Sequence, residues 1–222
     1  MHPTLINING YTISSYGAAM LLAFTVTATL VLINYPKKIL SLVDIYNFFI
    51  IVIAAIFFGG PLIQLLFSQD LNEVKGILQF WERKQNFASF PTLLAALMMI
   101  YVYCKLRQIP FLATIDFLFP YAILALAIQR TFGCFSAGCC YGLPTEMPWG
   151  MLFPEISPAG RAFPHLSIHP TQLYYGLSAF AIFLFLISYN NKGNRQTGEV
   201  TAVGLMLLLI SYFIVTLFRA PS

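Results

Sequence analysis

Residues 112–133 read LATIDFLFPYAILALAIQRTFG, and this stretch decides the fold class of the chain. Its charged side chains are Asp116 and Arg130, one toward each end of an otherwise apolar run. A helix needs about 17 to 25 residues to cross the roughly 30 Å hydrocarbon core of a bilayer, and this run is long enough. The stretch therefore predicts a transmembrane helix.

Five other apolar runs are also long enough to cross a bilayer. They cover about residues 13–33, 45–67, 89–106, 171–189 and 198–218. Gly59-Gly60-Pro61 interrupts the second of these runs, and such breaks are tolerated only where the backbone is buried or lines a cavity. Broken helices would raise the count to seven. We expect an all-α integral membrane protein, a polytopic bundle of six to seven transmembrane helices with an elaborated outer-face loop.

The composition of the whole chain excludes several classes of protein. Of its 222 residues, 9% are charged and 59% are hydrophobic, whereas a soluble domain has roughly 25% charged residues. An ordinary soluble enzyme and a disordered chain are therefore excluded. The basic residues are scattered in twos and threes, so no nucleic-acid partner is expected. Without a repeat or a visible boundary, residues 1–222 are predicted to form a single transmembrane domain.

Short loops that contain Lys and Arg indicate the cytoplasmic side of a membrane protein. Such residues fall here in alternate loops, at Lys37, Lys38, Lys105, Arg107, Lys192 and Arg195. The N-terminus and the two long connections, at about 68–88 and 134–170, are then predicted to lie on the outer face. The N-terminus lacks the basic region and the cleavage site of a signal peptide, so the first apolar run is expected to remain as a helix.

Arg130 lies in the outer turn of its predicted helix, behind the apolar run YAILALAI. Burying a guanidinium in a membrane costs about 2.5 to 3.5 kcal/mol on insertion scales, and an arginine at this depth usually faces a cavity. Its planar fork of donors matches phosphate, so an anionic lipid headgroup is a suitable ligand. The alternative is an arginine that snorkels to the interface and binds headgroups nonspecifically.

The stretch that follows is rich in glycine, cysteine and proline, and we expect residues 134–170 to form an interfacial outer loop. Gly133, Gly138 and Gly142 permit tight turns and the close approach of a ligand, although they also permit simple helix termination. The prolines between residues 144 and 154 make this continuation non-helical. Its apolar residues suit the membrane interface.

Cys134, Cys139 and Cys140 allow three interpretations. The first is a disulfide, which an oxidising outer face would favour. Cys134 would then pair with Cys139 or Cys140, because adjacent cysteines have Cα atoms only about 3.8 Å apart, below the usual range for disulfides. The second interpretation is a reactive thiolate, its pKa lowered by the nearby guanidinium. The third is a metal site with His165 or His169, for which the spacing is poor, and we expect no metal.

A second polar segment, residues 169–175, opens the fifth apolar run with the sequence HPTQLYY. Proline suits the first turn of a helix because its missing N–H would have no partner there. Gln172 and Tyr175 lie about one turn onward from His169 and face roughly the same way. His169 is then either a polar wall of a substrate cavity, orienting a headgroup or relaying a proton, or an N-terminal helix cap.

Together the two segments resemble the prolipoprotein diacylglyceryl transferase family. The similar residues are Arg130, Gly133, Cys134, Phe135, Gly138, Gly142, Pro144-Thr145, Pro148-Trp149, Phe153-Pro154 and His169 to Tyr174. Weaker matches elsewhere are Tyr16-Gly17, Phe58-Gly59-Gly60, Ser89-Phe90, Asp116 and Phe218-Arg219-Ala220-Pro221. The resemblance covers most of the chain and implies the same helical membrane fold.

The resemblance implies a transferase that moves a diacylglyceryl group from phosphatidylglycerol to the lipobox cysteine of a secreted prelipoprotein, releasing glycerol phosphate. Such a reaction needs a cation for the departing phosphate and a group that takes the thiol proton. The catalytic candidates are Arg130, His169, Cys139 and Cys140. The candidates for substrate binding are Tyr16, Gly133, Gly138, Gly142, Gln172, Tyr174 and Arg219.

The sequence departs from the family pattern at charged positions. Pro91 stands where the family has a functional histidine, and a family arginine aligns with Tyr212. Two family glutamates align with Tyr175 and Thr216. The standard lipobox reaction is therefore predicted to be slow or absent, unless His165, His169, Cys139 or Cys140 replaces the missing proton acceptor.

The leading hypothesis is a divergent diacylglyceryl transferase-like enzyme of the bacterial cytoplasmic membrane. Its expected donor is phosphatidylglycerol or a similar anionic phospholipid, its acceptor is a lipoprotein precursor or another thiol or non-thiol acceptor, and no cofactor is expected. One alternative is a non-catalytic paralogue that binds lipid or a partner protein. The other is a membrane thiol–disulfide protein that uses the three clustered cysteines.

Overall fold

The computed structural model describes residues 4–8, 11–59, 89–191, 193 and 195–221. They fall into two compact units. The first unit comprises Met1–Asn34 with Ile115–Ser222, and the second comprises Tyr35–Thr114. A single domain over residues 1–222 stays a prediction.

Helices make up most of the described chain. In order, the elements are β1 (Thr4–Ile8), β2 (Tyr11–Ser14), α1 (Ser15–Asn34), α2 (Leu42–Ala54), α3 (Ser89–Arg107), α4 (Phe111–Ile128), α5 (Phe135–Ala137), α6 (Pro158–Ala162), α7 (Thr171–Asn191) and α8 (Glu199–Thr216). Two π-helical segments, Ala55–Gly59 and Gln129–Cys134, extend α2 and α4.

Four of the described helical segments are long and apolar enough to cross a membrane. They are Ser15–Asn34, Phe111–Ala137, Thr171–Asn191 and Glu199–Thr216, and the shorter Leu42–Phe58 is also apolar. Their outward faces carry large apolar side chains, such as Leu21 and Phe213, each 69% exposed. Lipid is the solvent that such surfaces require. The predicted polytopic helical membrane protein is confirmed, whereas a total of six to seven spans stays a prediction.

The helix ends differ from the predicted spans for local reasons. Strands β1 and β2 form an antiparallel hairpin that the sequence analysis did not anticipate, so α1 begins at Ser15 and not near residue 13. Helix α2 begins at Leu42, three residues before the predicted start, because Ser41 and Asp44 form a capping box. The predicted break at Gly60 and Pro61 lies outside the described residues.

The core of the first unit lies among α4, α7 and α8. It contains Ile123, Ala127, Ala179, Ile182, Leu186 and Val200. Asp116 anchors the start of α8, because its carboxylate accepts hydrogen bonds from the backbone N–H groups of Gly198 and Thr201. A carboxylate at a helix N-terminus satisfies donors that would otherwise lack partners. Asp116 therefore has a structural role in the fold.

The loop over residues 134–170 is folded through backbone pairing. Isolated β-bridges join Gly142 to Arg219 and join Ile168 to both Pro144 and Met151. A small apolar core beneath the loop contains Phe153, Ala159 and Ile168. These contacts fix the end of α4 beside the start of α7 and the end of the chain. The placement of this loop at the outer membrane interface stays a prediction.

In the second unit, α2 and α3 share a buried polar cluster around Asp44. Tyr103 donates its hydroxyl proton to Asp44 Oδ1 at 2.7 Å, and Arg107 Nε lies 3.5 Å from the same oxygen. Buried carboxylates need such partners because water no longer solvates them. Cys104 is also buried in this unit.

Candidate active site

The segment that carries Arg130 is a π-helical turn, Gln129–Cys134, which continues α4. Such turns widen the helix locally and occur often at functional sites. Helix α1 packs closely against this turn, because a Cβ on Gly133 would lie only 3.3 Å from Ala19 Cβ. The absence of a side chain at Gly133 therefore lets α1 approach the site, which gives this predicted residue a packing role.

The guanidinium of Arg130 faces sulfur and an aromatic ring. Its Nη1 lies 3.3 Å from Cys140 Sγ and 3.8 Å from Cys134 Sγ, and its Cζ lies 5.3 Å from the ring centroid of Tyr175. Among the described residues no carboxylate lies within ion-pair distance of it. A half-buried cation without an acid partner is electrostatically suited to an incoming anion.

The structure brings the three cysteines together. The sulfur atoms of Cys134, Cys139 and Cys140 lie within 4.8 Å of one another, and all three are free thiols. Gly138 makes this possible, because it adopts a left-handed conformation (φ +68°) that ends α5 and turns the chain back. We call these three side chains the thiol cluster.

Neither histidine belongs to the thiol cluster, so among the described residues the structure does not bring His165 or His169 to the three sulfur atoms. His165 is exposed and lies 3.3 Å from Glu155. Within the cluster, hydrogen bonds from the thiols of Cys134 and Cys139, together with the charge of Arg130, lower the pKa of the Cys140 thiol. Hydrogen bonds with the thiols of Cys134 and Cys140 raise the pKa of the Cys139 thiol.

Two side chains at the start of α7 hold in place the loop that carries Cys139 and Cys140. Thr171 donates its hydroxyl proton to the carbonyl of Cys140 at 2.6 Å, and Gln172 Nε2 donates to the carbonyl of Cys139 at 2.7 Å. Gln172 is fully buried, and its Oε1 has no hydrogen-bond partner among the described residues. Gln172 thus positions the loop and keeps one buried carbonyl oxygen without a described partner.

His169 belongs to a second group of polar and aromatic side chains. Its Nδ1 lies 3.1 Å from the hydroxyl of Tyr174, and its ring packs edge-on against Phe218 with centroids 5.1 Å apart. Gly142 has no room for a side chain, because a Cβ there would lie 2.5 Å from the carbonyl oxygen of His169. This glycine therefore lets the loop pair with the backbone of His169.

Three of the departures from the family pattern are neighbours in space. Tyr175 and Tyr212 have ring centroids 5.1 Å apart, and the hydroxyl of Tyr175 lies 3.1 Å from that of Thr216. Arg219 Nη1 donates to the hydroxyl of Tyr212 at 3.4 Å. The positions where the family has charged groups thus hold one hydrogen-bonded set of neutral side chains. Pro91, the remaining departure, has a side chain outside the described part.

Sequence reasoning missed Gln129 as a member of the site, and it did not predict the contact between Arg130 and Tyr175. Gln129 Nε2 donates to the hydroxyl of Tyr16 at 3.0 Å and to Cys134 Sγ at 3.1 Å, which joins α1 to the thiol cluster. Its position next to Arg130 was an available signal. The contact between Tyr175 and Arg130 had none, because 44 intervening residues separate them along the chain.

Comparison with known proteins gives consistent matches. The family model described as prolipoprotein diacylglyceryl transferase matches residues 3–222. A phosphatidylglycerol–prolipoprotein diacylglyceryl transferase of Clostridium tetani is 29% identical over 99% of this chain and 86% of its own length. The protein of that name from Legionella pneumophila strain Corby is 32% identical over 70% of this chain, a stretch that spans 57% of the Legionella protein.

Proposed function

Because this chain belongs to the prolipoprotein diacylglyceryl transferase family, we propose that it transfers a diacylglyceryl group from phosphatidylglycerol to a thiol of a lipoprotein precursor. In this reaction the bond between the diacylglyceryl carbon and the phosphate oxygen breaks, and a thioether bond forms. Glycerol phosphate leaves with the bonding electrons, and the thiol proton passes to a base. The observation that carries the proposal is the half-buried guanidinium of Arg130, which faces no described carboxylate.

Arg130 is the proposed anchor for the phosphate of the lipid. Its fork of N–H donors matches two phosphate oxygens, and its described contacts are with cysteine side chains and an aromatic ring and not with a carboxylate. Charge on the departing phosphate grows in the transition state, so a fixed cation lowers the barrier.

Arg219 is the proposed second cation. Its contact with Tyr212 places it at the far end of a row that runs through Tyr175 to Arg130. Tyr212 lacks the positive charge that the family carries at this position, and Arg219 supplies one nearby. Tyr16, Tyr174, Gln172 and the three predicted glycines would shape the surrounding headgroup site.

His169 is the proposed proton acceptor in place of the family histidine that Pro91 replaces. Its imidazole contacts a hydroxyl and an aromatic ring and has no ion pair with a described carboxylate. A neutral imidazole near physiological pH is suited to take a proton from an acceptor thiol. Cys139 and Cys140 are the other candidates, and single substitutions separate them from His169.

The direct test incubates the purified chain in phosphatidylglycerol-containing vesicles with labelled phosphatidylglycerol and a lipobox peptide. We expect a lipidated peptide and an equal amount of glycerol phosphate. Arg130→Lys should transfer more slowly than the wild type, and Arg130→Ala more slowly still, because lysine keeps the charge but loses the planar fork. Arg161→Ala, which alters an exposed arginine of α6, is the matched control.

Three outcomes separate the proposal from its alternatives. Lipid binding without product would favour a non-catalytic lipid-binding paralogue. If the folded protein does not bind the lipid and forms no product, the proposal is refuted. Growth of cells depleted of their own transferase, when supplied with this chain, would show that the chain performs the reaction despite the Pro91 and Tyr212 departures.

The site is proposed to face the outside of a bacterial cytoplasmic membrane. The support is the alternation of basic loops along the sequence. Cysteines introduced singly by Lys38→Cys and Glu155→Cys should react with an impermeant maleimide on opposite sides of the membrane, with Glu155→Cys labelled from outside. The unmodified chain gives the background, and the reverse pattern would contradict the orientation.

A further inference from the structure

The thiol cluster has a geometry that the transfer reaction does not require. It is the one group of three or more metal-ligating side chains found among the described residues, and its sulfur atoms lie within 4.8 Å of one another. Metal–sulfur bonds of about 2.3 Å place three ligand sulfurs about 3.8 to 4.0 Å apart in tetrahedral or trigonal sites. Side-chain rotations that close at most about 1 Å would therefore complete such a site.

The backbone around these sulfurs is held from several directions. Cys134 belongs to the π-helical turn, whereas Cys139 and Cys140 follow the left-handed residue Gly138. The carbonyls of Cys139 and Cys140 accept the hydrogen bonds from the start of α7 described above. The ligands are thus largely arranged before any ion arrives, which reduces the ordering cost of binding.

The charge around the thiol cluster also suits thiolate ligands. Three thiolates around a singly or doubly charged ion leave a net charge of about −2 or −1, which is costly away from water unless it is paired. Arg130 Nη1 lies within 3.8 Å of two of the sulfurs, Cys140 and Cys134. Its positive charge would offset part of this net charge.

We propose that Cys134, Cys139 and Cys140 bind one soft metal ion of the Cu⁺ or Zn²⁺ class. Thiolate ligands select such ions over Mg²⁺, Ca²⁺ and Mn²⁺. Binding converts three thiols to thiolates and releases three protons to the solvent for each ion. A site with three sulfurs and no imidazole suits trigonal Cu⁺, whereas Zn²⁺ would need a fourth ligand, such as water.

The test uses the full chain, reduced with a phosphine in detergent without oxygen, and Cd²⁺ as a spectroscopic probe of thiolate binding. We expect one Cd²⁺ per chain, with an ultraviolet thiolate-to-metal band. Cys134→Ser, Cys139→Ser and Cys140→Ser should each weaken binding at least about 10-fold, since losing even a hydrogen-bond partner of a ligand costs about 10- to 100-fold. Cys104→Ser, which alters the buried cysteine of the second unit, should bind as the wild type does.

Titration of the chain with Cu⁺ or with Zn²⁺, in competition with a chelator of that ion, then shows which of the two ions the site binds more tightly. A second measurement needs no variant: bound Cd²⁺ should protect Cys134, Cys139 and Cys140 of the wild-type chain from alkylation, as mapped by mass spectrometry. Absence of the absorption band and of protection in folded wild-type protein would overturn the proposal. Wild-type affinity for Cd²⁺ in all three single variants would overturn it as well.

The two experiments distinguish a failure of the metal-site proposal from a failure of the proposed function. Binding of Cd²⁺ by protein that forms no lipidated peptide would leave the metal site standing and count against the proposed function. Transfer by protein that binds no Cd²⁺ would do the reverse.

Discussion

An arginine lies near each end of helix α7, but the two arginines have different surroundings. At the far end, Arg195 lies 3.4 Å from the carboxylate of Glu199 and stacks 3.7 Å above the ring of Tyr189. At the start of the helix, Arg130 faces the thiol cluster and the ring of Tyr175. Arg195 pairs with a carboxylate of the chain, whereas Arg130 has no described carboxylate partner. We infer that Arg195 stabilises the fold, and Arg130 is proposed to be available to a ligand.

Removal of the available cation should have the largest effect. Arg130→Ala is expected to lower the transfer rate by about 100- to 1,000-fold, the range seen when one donor to a developing negative charge is lost. Arg195→Ala should transfer near the wild-type rate, because Glu199 already neutralises Arg195. The measurement is the rate of lipidated-peptide formation at saturating phosphatidylglycerol. Equal losses in both variants would remove the distinction between the two ends.

The two histidines of the loop repeat this comparison with a smaller expected effect. His169→Gln should slow transfer by about 100-fold, at the low end for general acid–base help, because nearby thiols remain as alternative acceptors. His165→Gln should have little effect, because His165 is exposed and pairs with Glu155. Rates are compared for folded proteins that show equal binding of phosphatidylglycerol. A slow His165 variant with a normal His169 variant would reverse the assignment.

Two glycines test whether the close packing at the start of α7 matters for activity. In Gly142→Ala the new methyl group would meet the carbonyl oxygens of His169 and Phe218 at 2.5 and 2.8 Å. This overpacking should lower the free energy of unfolding by about 1 to 3 kcal/mol and reduce transfer.

Gly193→Ala is the matched control, because Gly193 has nothing within 4 Å of the added Cβ, although its φ of +71° still disfavours alanine. Both variants should melt at lower temperature, but only Gly142→Ala should lose activity. Normal transfer by Gly142→Ala would show that the pairing of the loop with His169 is not needed.

The smallest effect is expected at the far end of α7. Glu199→Gln removes the carboxylate that accepts hydrogen bonds from Tyr189 and Arg195. Because this pair is partly exposed, its loss should lower the melting temperature only slightly and leave transfer unchanged. Thermal unfolding followed by circular dichroism measures the change. A large loss of transfer would mean that the far end contributes to the site.

The sequence predicted the parts of the site that are close along the chain. The segment around Arg130 and the segment from His169 to Tyr174 were both identified, and the structure places them side by side through Thr171 and Gln172. Gln172 was predicted to bind substrate, and its amide also holds the loop that carries Cys139 and Cys140. That role depends on a partner 33 residues away in sequence, which periodicity does not reveal.

The sequence by itself determined the apolar helices, the membrane as their solvent and the family to which the chain belongs, because hydrophobic runs and ordered motifs are properties of neighbouring residues. Only the tertiary structure decided which polar groups meet. Cys134 reaches Cys139 and Cys140 because Gly138 turns left-handed and α7 holds their carbonyls. Arg130 faces Cys140 and Tyr175 because packing between distant segments sets its partners, whereas Arg195 pairs with Glu199 only four residues along the chain.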